Sequence, residues 1–259
     1  MSPEPKWTPR GFEAVRGRKA QVLARPEAVG WVRFVLEGGR TLYEAAAAQP
    51  DAFLLQGREP LYVLPTKKGV RWVVRHYARG GPTLPLLGDR HLRFGSFRPF
   101  HELLASEEAR ARGIPTPQVV AAAVYSSGPF YRADLVTVFV PGADNLAEVL
   151  FDTTRKGIGG AVERLDAFRA AGELIRQLAS RGLRHGDLHA GNILLRWQGA
   201  APTPLPVGLD RCQVMPEGVE ASPGPMYRRL RRSLVKWERL TGLRVGDREW
   251  DTLERTVTG

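Results

Sequence analysis

The residues best suited to chemistry lie in one short stretch, His185-Gly186-Asp187-Leu188-His189-Ala190-Gly191-Asn192. Asp187 and Asn192 stand five residues apart. Phosphoryl transfer to a hydroxyl needs few protein groups. A carboxylate must orient the acceptor hydroxyl and take its proton. Oxygen ligands must hold a metal on the phosphates, and a cation must meet the phosphate oxygens. An Asp followed by an Asn at this spacing supplies the first two in a single loop. Taken by itself, His-x-Asp is also an ordinary polar turn, and the flanking pattern favours the catalytic alternative. A helix is expected just before the loop and the apolar strand Ile193-Leu194-Leu195 just after it.

His185 and His189 are four residues apart, the spacing of a metal pair on a helix. Gly186 and Gly191 oppose a helix there, so a shared metal is not expected and His185 reads as structural.

The elements that must carry this loop follow from periodicity and breakers. Trp31 to Glu37 reads as a strand, closed by Gly38-Gly39, and Tyr43 to Ala48 as a short helix. A three-stranded meander is expected from Phe53–Leu55, Leu61–Leu64 and Val70–Tyr77, with Lys67-Lys68-Gly69 as a turn and Arg79-Gly80-Gly81-Pro82 as its end. A helix follows over Phe97–Arg112, then strands at Val119–Val124 and Ala133–Val140. Pro141-Gly142-Ala143 breaks the pattern as a hinge would. Leu146–Phe151 and Val162–Arg181 read as helices, the second with Leu165, Phe168, Ile175 and Leu178 on one stripe. After the loop come a strand Ile193–Arg196, a proline-rich loop Trp197–Pro206 and a strand near Val207–Cys212. The last expected helix, Met226–Leu240, carries Leu230, Leu234 and Trp237 on one side and Arg228, Arg229, Arg231, Arg232, Lys236 and Arg239 over much of the rest. Strands first and helices later is an α+β order.

Composition bounds the partners. The 259 residues are 43% hydrophobic and carry a formal net charge of +11. That supports a folded core and points to anionic partners such as nucleotide, acidic glycolipid or a membrane surface. Cys212 is the single cysteine, which excludes an intrachain disulfide. The polar N-terminus lacks the apolar run of a secretory signal, and no stretch reaches the roughly 18 apolar residues of a spanning helix. The expected location is the cytosol, with the protein resting on a membrane face.

Several stretches together resemble the bacterial lipopolysaccharide core kinases, the Kdo kinase and heptose kinase family within the protein-kinase-like superfamily. They are Trp72-Val73-Val74-Arg75-His76-Tyr77-Ala78-Arg79-Gly80-Gly81, then Tyr131-Arg132-Ala133-Asp134-Leu135-Val136-Thr137 with Pro141-Gly142-Ala143, and Arg229-Leu230-Arg231-Arg232-Ser233-Leu234 with Lys236. The resemblance covers roughly residues 52–240. It implies a two-lobed protein-kinase-like fold: an N-terminal extension over residues 1–50 partly packed on the N-lobe, a small antiparallel β-rich N-lobe over 51–140, and a mainly helical C-lobe over 141–259. It implies ATP and Mg²⁺ as cofactors and an anionic glycolipid of the Kdo–lipid A type as substrate, with peripheral contact to an anionic membrane and no nucleic acid partner. Asp187 would be the base and Asn192 a metal ligand. Gly57 and Arg58 would lie in the turn over the nucleotide phosphates. Arg75 would take the place of the third-strand phosphate-binding lysine, with Glu102 as its partner.

One stretch departs from the family. The second metal-binding Asp usually stands in Ile-Asp-Phe or Ile-Asp-Leu, whereas this chain has Val207-Gly208-Leu209-Asp210-Arg211. Gly208 replaces the Asp in the simplest register. Asp210 lies one pleat further on the same face of the expected strand, about 6–7 Å away. Asp210 is therefore the expected second metal ligand. The functional expectation is an ATP-dependent kinase acting on a sugar hydroxyl of the lipopolysaccharide inner core, most simply Kdo. The alternatives are a small-molecule kinase of the aminoglycoside or choline type and a catalytically silent glycolipid-binding protein.

Overall fold

Arg25 is extended and Pro26 follows it as the first residue of a helix that runs through the stretch Trp31–Glu37 expected as a strand. In the computed structural model, which describes residues 8–55, 60–66, 69–77, 91–92, 97–152, 161–199 and 201–259, this helix is α1 (Pro26–Glu37). Ala28, Val29, Val32 and Val35 form its buried stripe. Their helical spacing outweighs the β preference of Trp31, Val32, Phe34 and Val35, so the strand expected over Trp31–Glu37 is corrected to a helix. Two strands precede it, β1 (Glu13–Arg16) and β2 (Ala20–Ala24), and α2 (Leu42–Ala47) follows with a reciprocal Thr41/Glu44 cap.

By contacts the chain divides into two units, Met1–Leu104 with Gln118–Phe139, and Ala105–Pro117 with Val140–Gly259. The first is built on an antiparallel sheet. Its strands are β1, β2, β3 (Phe53–Leu55), β4 (Leu61–Pro65), β5 (Arg71–His76), β6 (His91–Leu92), β7 (Val119–Ser127) and β8 (Phe130–Val138). The order is β1-β2-β7-β8-β5-β4-β3, with β6 also pairing β8. Ala121, Ala123 and Val136 belong to a cluster shared with α1 and α2, while Ala122, Val124 and Leu135 belong to a second cluster with Leu103. Both faces of the sheet are thus covered, which is why Val119–Val124 is a continuous apolar run rather than an alternating one. A buried polar knot fixes α2 to this sheet. Asp134 is fully buried and accepts from the Tyr125 hydroxyl at 2.9 Å and the Tyr43 backbone N–H at 3.0 Å, with His76 Nδ1 at 2.6 Å. Burial, and the Asp134 charge after it, push the Tyr125 hydroxyl well above its ordinary pKa.

Helix α3 (Arg98–Ala111) begins in the first unit and ends in the second. The second unit is mainly helical: α4 (Leu146–Phe151), α5 (Ala161–Ser180), α6 (Gly224–Thr241) and α7 (Asp247–Thr258). Phe168, Leu174, Ile175 and Leu178 of α5 pack into one core with Met226, Leu230 and Leu234 of α6 and Leu253 of α7. Two small sheets frame what lies between the helices. One pairs β10 (Leu183–His185) with β13 (Cys212–Val214), and the other runs β12 (Pro202–Pro206), β11 (Ile193–Trp197), β9 (Ala143–Asn145).

Residues 202–206 are a strand, where a loop is expected. Prolines 202, 204 and 206 recur with period two, so the missing N–H groups all lie on one edge of β12. The Val207 N–H, of the opposite parity, donates to Asn192 O at 3.0 Å. The Pro206 carbonyl accepts from Thr116 Oγ1 at 2.8 Å, on the proline side. Among the described residues, no helix is long and apolar enough to cross a membrane.

Candidate active site

The loop His185–Asn192 joins β10 to β11, and residues 207–211 join β12 to β13, so the two small sheets hold both segments at once. His185 is buried and does structural work. Its Nε2 meets the Val207 carbonyl at 2.9 Å and its Nδ1 accepts from the Asp187 N–H at 3.2 Å. His189 Nδ1 accepts from the Gly191 N–H at 3.1 Å and caps the 3-10 turn Ala190–Asn192. Gly186 is required by close approach, since a Cβ there would stand 2.6 Å from the Arg211 carbonyl oxygen.

Asp187 and Asn192 are brought together by the turn. Asn192 Nδ2 donates to the Asp187 carbonyl at 3.0 Å, and the Asn192 N–H to the His189 carbonyl at 2.8 Å. With its amide nitrogen engaged, Asn192 presents Oδ1 as a hard oxygen donor of the kind Mg²⁺ takes. The Asp187 carboxylate is about one third exposed. Its Oδ1 accepts from Arg229 Nε at 2.9 Å and forms an ion pair with Arg229 Nη2 at 2.7 Å.

Arg229 was not singled out in the sequence, where it counts as one more cation of a basic helix. Helix α6 in fact meets the loop along one stripe. The His185 N–H points at Met226 Sδ at 3.4 Å, Arg229 holds Asp187, and the Ala190 N–H donates to Ser233 Oγ at 3.2 Å. Positions 226, 229 and 233 are spaced three and four apart, the spacing of one helix face. That spacing was the available signal. Arg228, Arg232, Lys236 and Arg239 are exposed elsewhere on the helix, and Arg231 lies 5.4 Å over the Trp250 ring.

The stretch expected as a strand over Val207–Cys212 is instead a turn. Gly208 has φ +72°, and Leu209–Arg211 form a 3-10 turn before β13 begins. The one-pleat relation between positions 208 and 210 is therefore withdrawn. A left-handed residue followed by a 3-10 turn does not alternate its side chains as a strand does. A Cβ at Gly208 would stand 2.9 Å from Asn192 Nδ2 and 3.0 Å from its Oδ1, so the bare glycine is what lets the Asn192 amide lie there. Asp210 is half-buried in the turn. Cys212, opposite His185 in the sheet, is buried, and burial pushes its thiol up to about 12, so it stays protonated.

In the sheet unit, Arg75 Nη2 and Glu102 Oε2 are 2.5 Å apart, and the Tyr77 hydroxyl donates to the same oxygen at 2.5 Å. Arg75 also lies 4.6 Å over the Tyr77 ring. Gly57 and Arg58 fall outside the described residues, as do Lys67, Lys68 and Arg79-Gly80-Gly81-Pro82.

A sequence model of the lipopolysaccharide kinase (Kdo/WaaP) family matches residues 54–254. A 3-deoxy-D-manno-octulosonic acid kinase of Haemophilus influenzae (strain 86-028NP) is 33% identical over 167 residues, covering 61% of this chain and 64% of that protein. One from Actinobacillus succinogenes is 30% identical over 205 residues, covering 76% and 80%. The match to the Haemophilus protein thus spans somewhat less than two thirds of its length. A solved structure of WaaP in complex with acyl carrier protein is similar with a TM-score of 0.52 at 17% identity, over 95% of this chain and 88% of that one, and so shares its protein-kinase-like fold. With 201 of its 259 positions inside the family match, this chain belongs to the lipopolysaccharide kinase (Kdo/WaaP) family.

Proposed function

We propose that this protein is a phosphotransferase that moves the γ-phosphate of ATP onto a sugar hydroxyl of the lipopolysaccharide inner core, with Kdo as the acceptor sugar. The observation that carries this reading is the half-used Asp187 carboxylate. Oδ1 is held by Arg229, while Oδ2 has no hydrogen-bond partner among the described residues. In the step, Oδ2 takes the proton of the acceptor hydroxyl as its oxygen bonds to the γ-phosphorus. The bond from that phosphorus to the bridging oxygen breaks, and ADP leaves with the electron pair.

Arg75, oriented by Glu102, is the cation for the nucleotide phosphates. Mg²⁺, when bound, neutralises phosphate charge; Asn192 Oδ1 and the Asp210 carboxylate are the groups that would hold it. The exposed cations of α6 suit an anionic membrane, since basic groups near such a surface contribute about 1 kcal/mol each. The protein then works peripherally on the cytoplasmic face of the inner membrane.

The test is incubation with ATP, Mg²⁺ and a Kdo-bearing lipid A precursor, followed by mass measurement of the lipid. A gain of one phosphoryl group supports the reading. One observation favours a second, binding-only reading: Gly208 stands where the family's second metal Asp is expected, and its space is taken by Asn192. An unchanged lipid mass together with retained lipid binding would decide for that reading.

A further inference from the structure

We propose that Arg229 is the positioning residue of the Asp187 carboxylate, selecting Oδ2 as the oxygen that meets the acceptor; this rests on the kinase reading of the site. The loop backbone already fixes everything about Asp187 except its side-chain torsions. Its N–H is bound to His185 Nδ1 and its carbonyl to Asn192 Nδ2. Arg229 Nε donates to Oδ1 at 2.9 Å and its Nη2 lies 2.7 Å from the same oxygen, so the guanidinium claims Oδ1 and biases those torsions. Oδ2 is the oxygen left to accept a proton.

Arg229 can serve as a fixed reference because its helix is itself anchored to the loop. Leu230 and Leu234 are fully buried beside it, Met226 and Ser233 contact the loop backbone on either side, and Trp237 stacks on Phe151 with ring centroids 6.0 Å apart. An ordinary surface ion pair lacks this support and contributes little. Here both partners are about two-thirds covered, at 33% and 31% side-chain exposure, and both are held from behind. A residue that acts by orienting the base changes turnover and leaves substrate affinity alone, because the effect is felt in the transition state.

The experiment compares wild type with Arg229→Gln, Arg229→Lys, Asp187→Asn and the double variant Asp187→Asn/Arg229→Gln on ATP and a Kdo–lipid A acceptor. Thermal melting confirms that each is folded. Arg229→Gln should lose about 100-fold in kcat, the scale of a misplaced reacting group, with KM for both substrates within about twofold. Arg229→Lys keeps a charge and loses the two-donor fork, so it should recover about tenfold of that loss. The double variant should be no slower than Asp187→Asn, since Arg229 acts through Asp187. Three results overturn the proposal: kcat of Arg229→Gln equal to wild type, a rise in KM with kcat unchanged, or a further loss in the double variant. Wild type without turnover sinks the kinase reading and this role with it. Wild-type turnover untouched by Arg229→Gln sinks this role alone.

Discussion

Two arginine–carboxylate pairs occupy the two units, and they are finished differently. Glu102 is 4% exposed, and one oxygen of its carboxylate takes both the Arg75 guanidinium and the Tyr77 hydroxyl. Its work is to hold Arg75, whose own side chain stays 26% exposed. In the helical unit the exposure is even, and the carboxylate is the group left with an open oxygen. The first pair thus orients a cation and the second orients an anion. On the proposed kinase reading, the first would serve the phosphates and the second the acceptor hydroxyl.

Removing the open carboxylate gives the largest expected effect. Asp187→Asn should lower kcat by about 10³-fold while thermal melting and ATP binding stay near wild type. Retained turnover would place Asp187 in the same structural class as Glu102 and erase the contrast. Glu102→Ala should act mainly on the fold. It removes the buried carboxylate that the Tyr77 hydroxyl and the Arg75 guanidinium share, costing about 3 kcal/mol by chemical denaturation. A variant as stable as wild type would mean that the pair is no brace.

Gly208→Asp sharpens the comparison from the metal side. The new side chain meets a left-handed backbone and the Asn192 amide, so the variant should lose about 1–2 kcal/mol and gain no activity. Asp210→Ala should weaken MgATP binding in calorimetry with melting unchanged. Activity that appears only in Gly208→Asp would assign the metal contact to position 208 and refute Asp210.

The smallest effect concerns the exposed face of α6. Reversing Arg228, Arg232, Lys236 and Arg239 should reduce co-sedimentation with anionic liposomes several-fold at low salt, with turnover on a short soluble acceptor retained. Arg229 is left out of this set because it is committed to Asp187. Unchanged co-sedimentation would show a merely solvated face.

Much of the helical unit is legible in the sequence because its elements are long and periodic. Leu146–Phe151 is read to the residue, and α5 and α6 to within two residues at each end. The failures share a cause: local preference was overruled by something the preference does not contain. Trp31–Glu37 has strand-loving residues on a helical stripe, and burial on the sheet decided the matter. β1 and β2 are only four and five residues long, so the pairing of β1 with β2 and of β2 with β7 is visible only in three dimensions. α7, rich in charge, was missed because only Leu253 and Val257 are buried. In the candidate loop, Asp187 and Asn192 were legible from residue type and spacing, whereas the Arg75–Glu102 pair of the sheet unit came only through the family resemblance. Arg229 was not legible, because a basic helix hides one committed arginine among several solvated ones.

The alternating prolines of β12 have a consequence for how the protein behaves in a crowded cell. The outer edge of a three-stranded sheet ordinarily offers a row of donors and acceptors to any passing strand. On β12 that edge has no donors at positions 202, 204 and 206, and the carbonyl of Pro206 is already claimed by Thr116. A strand from a neighbouring molecule would find no N–H donor at these three positions. The same proline rhythm that disguises β12 as a loop in the sequence therefore disfavours edge-to-edge pairing of the sheet beside the candidate site.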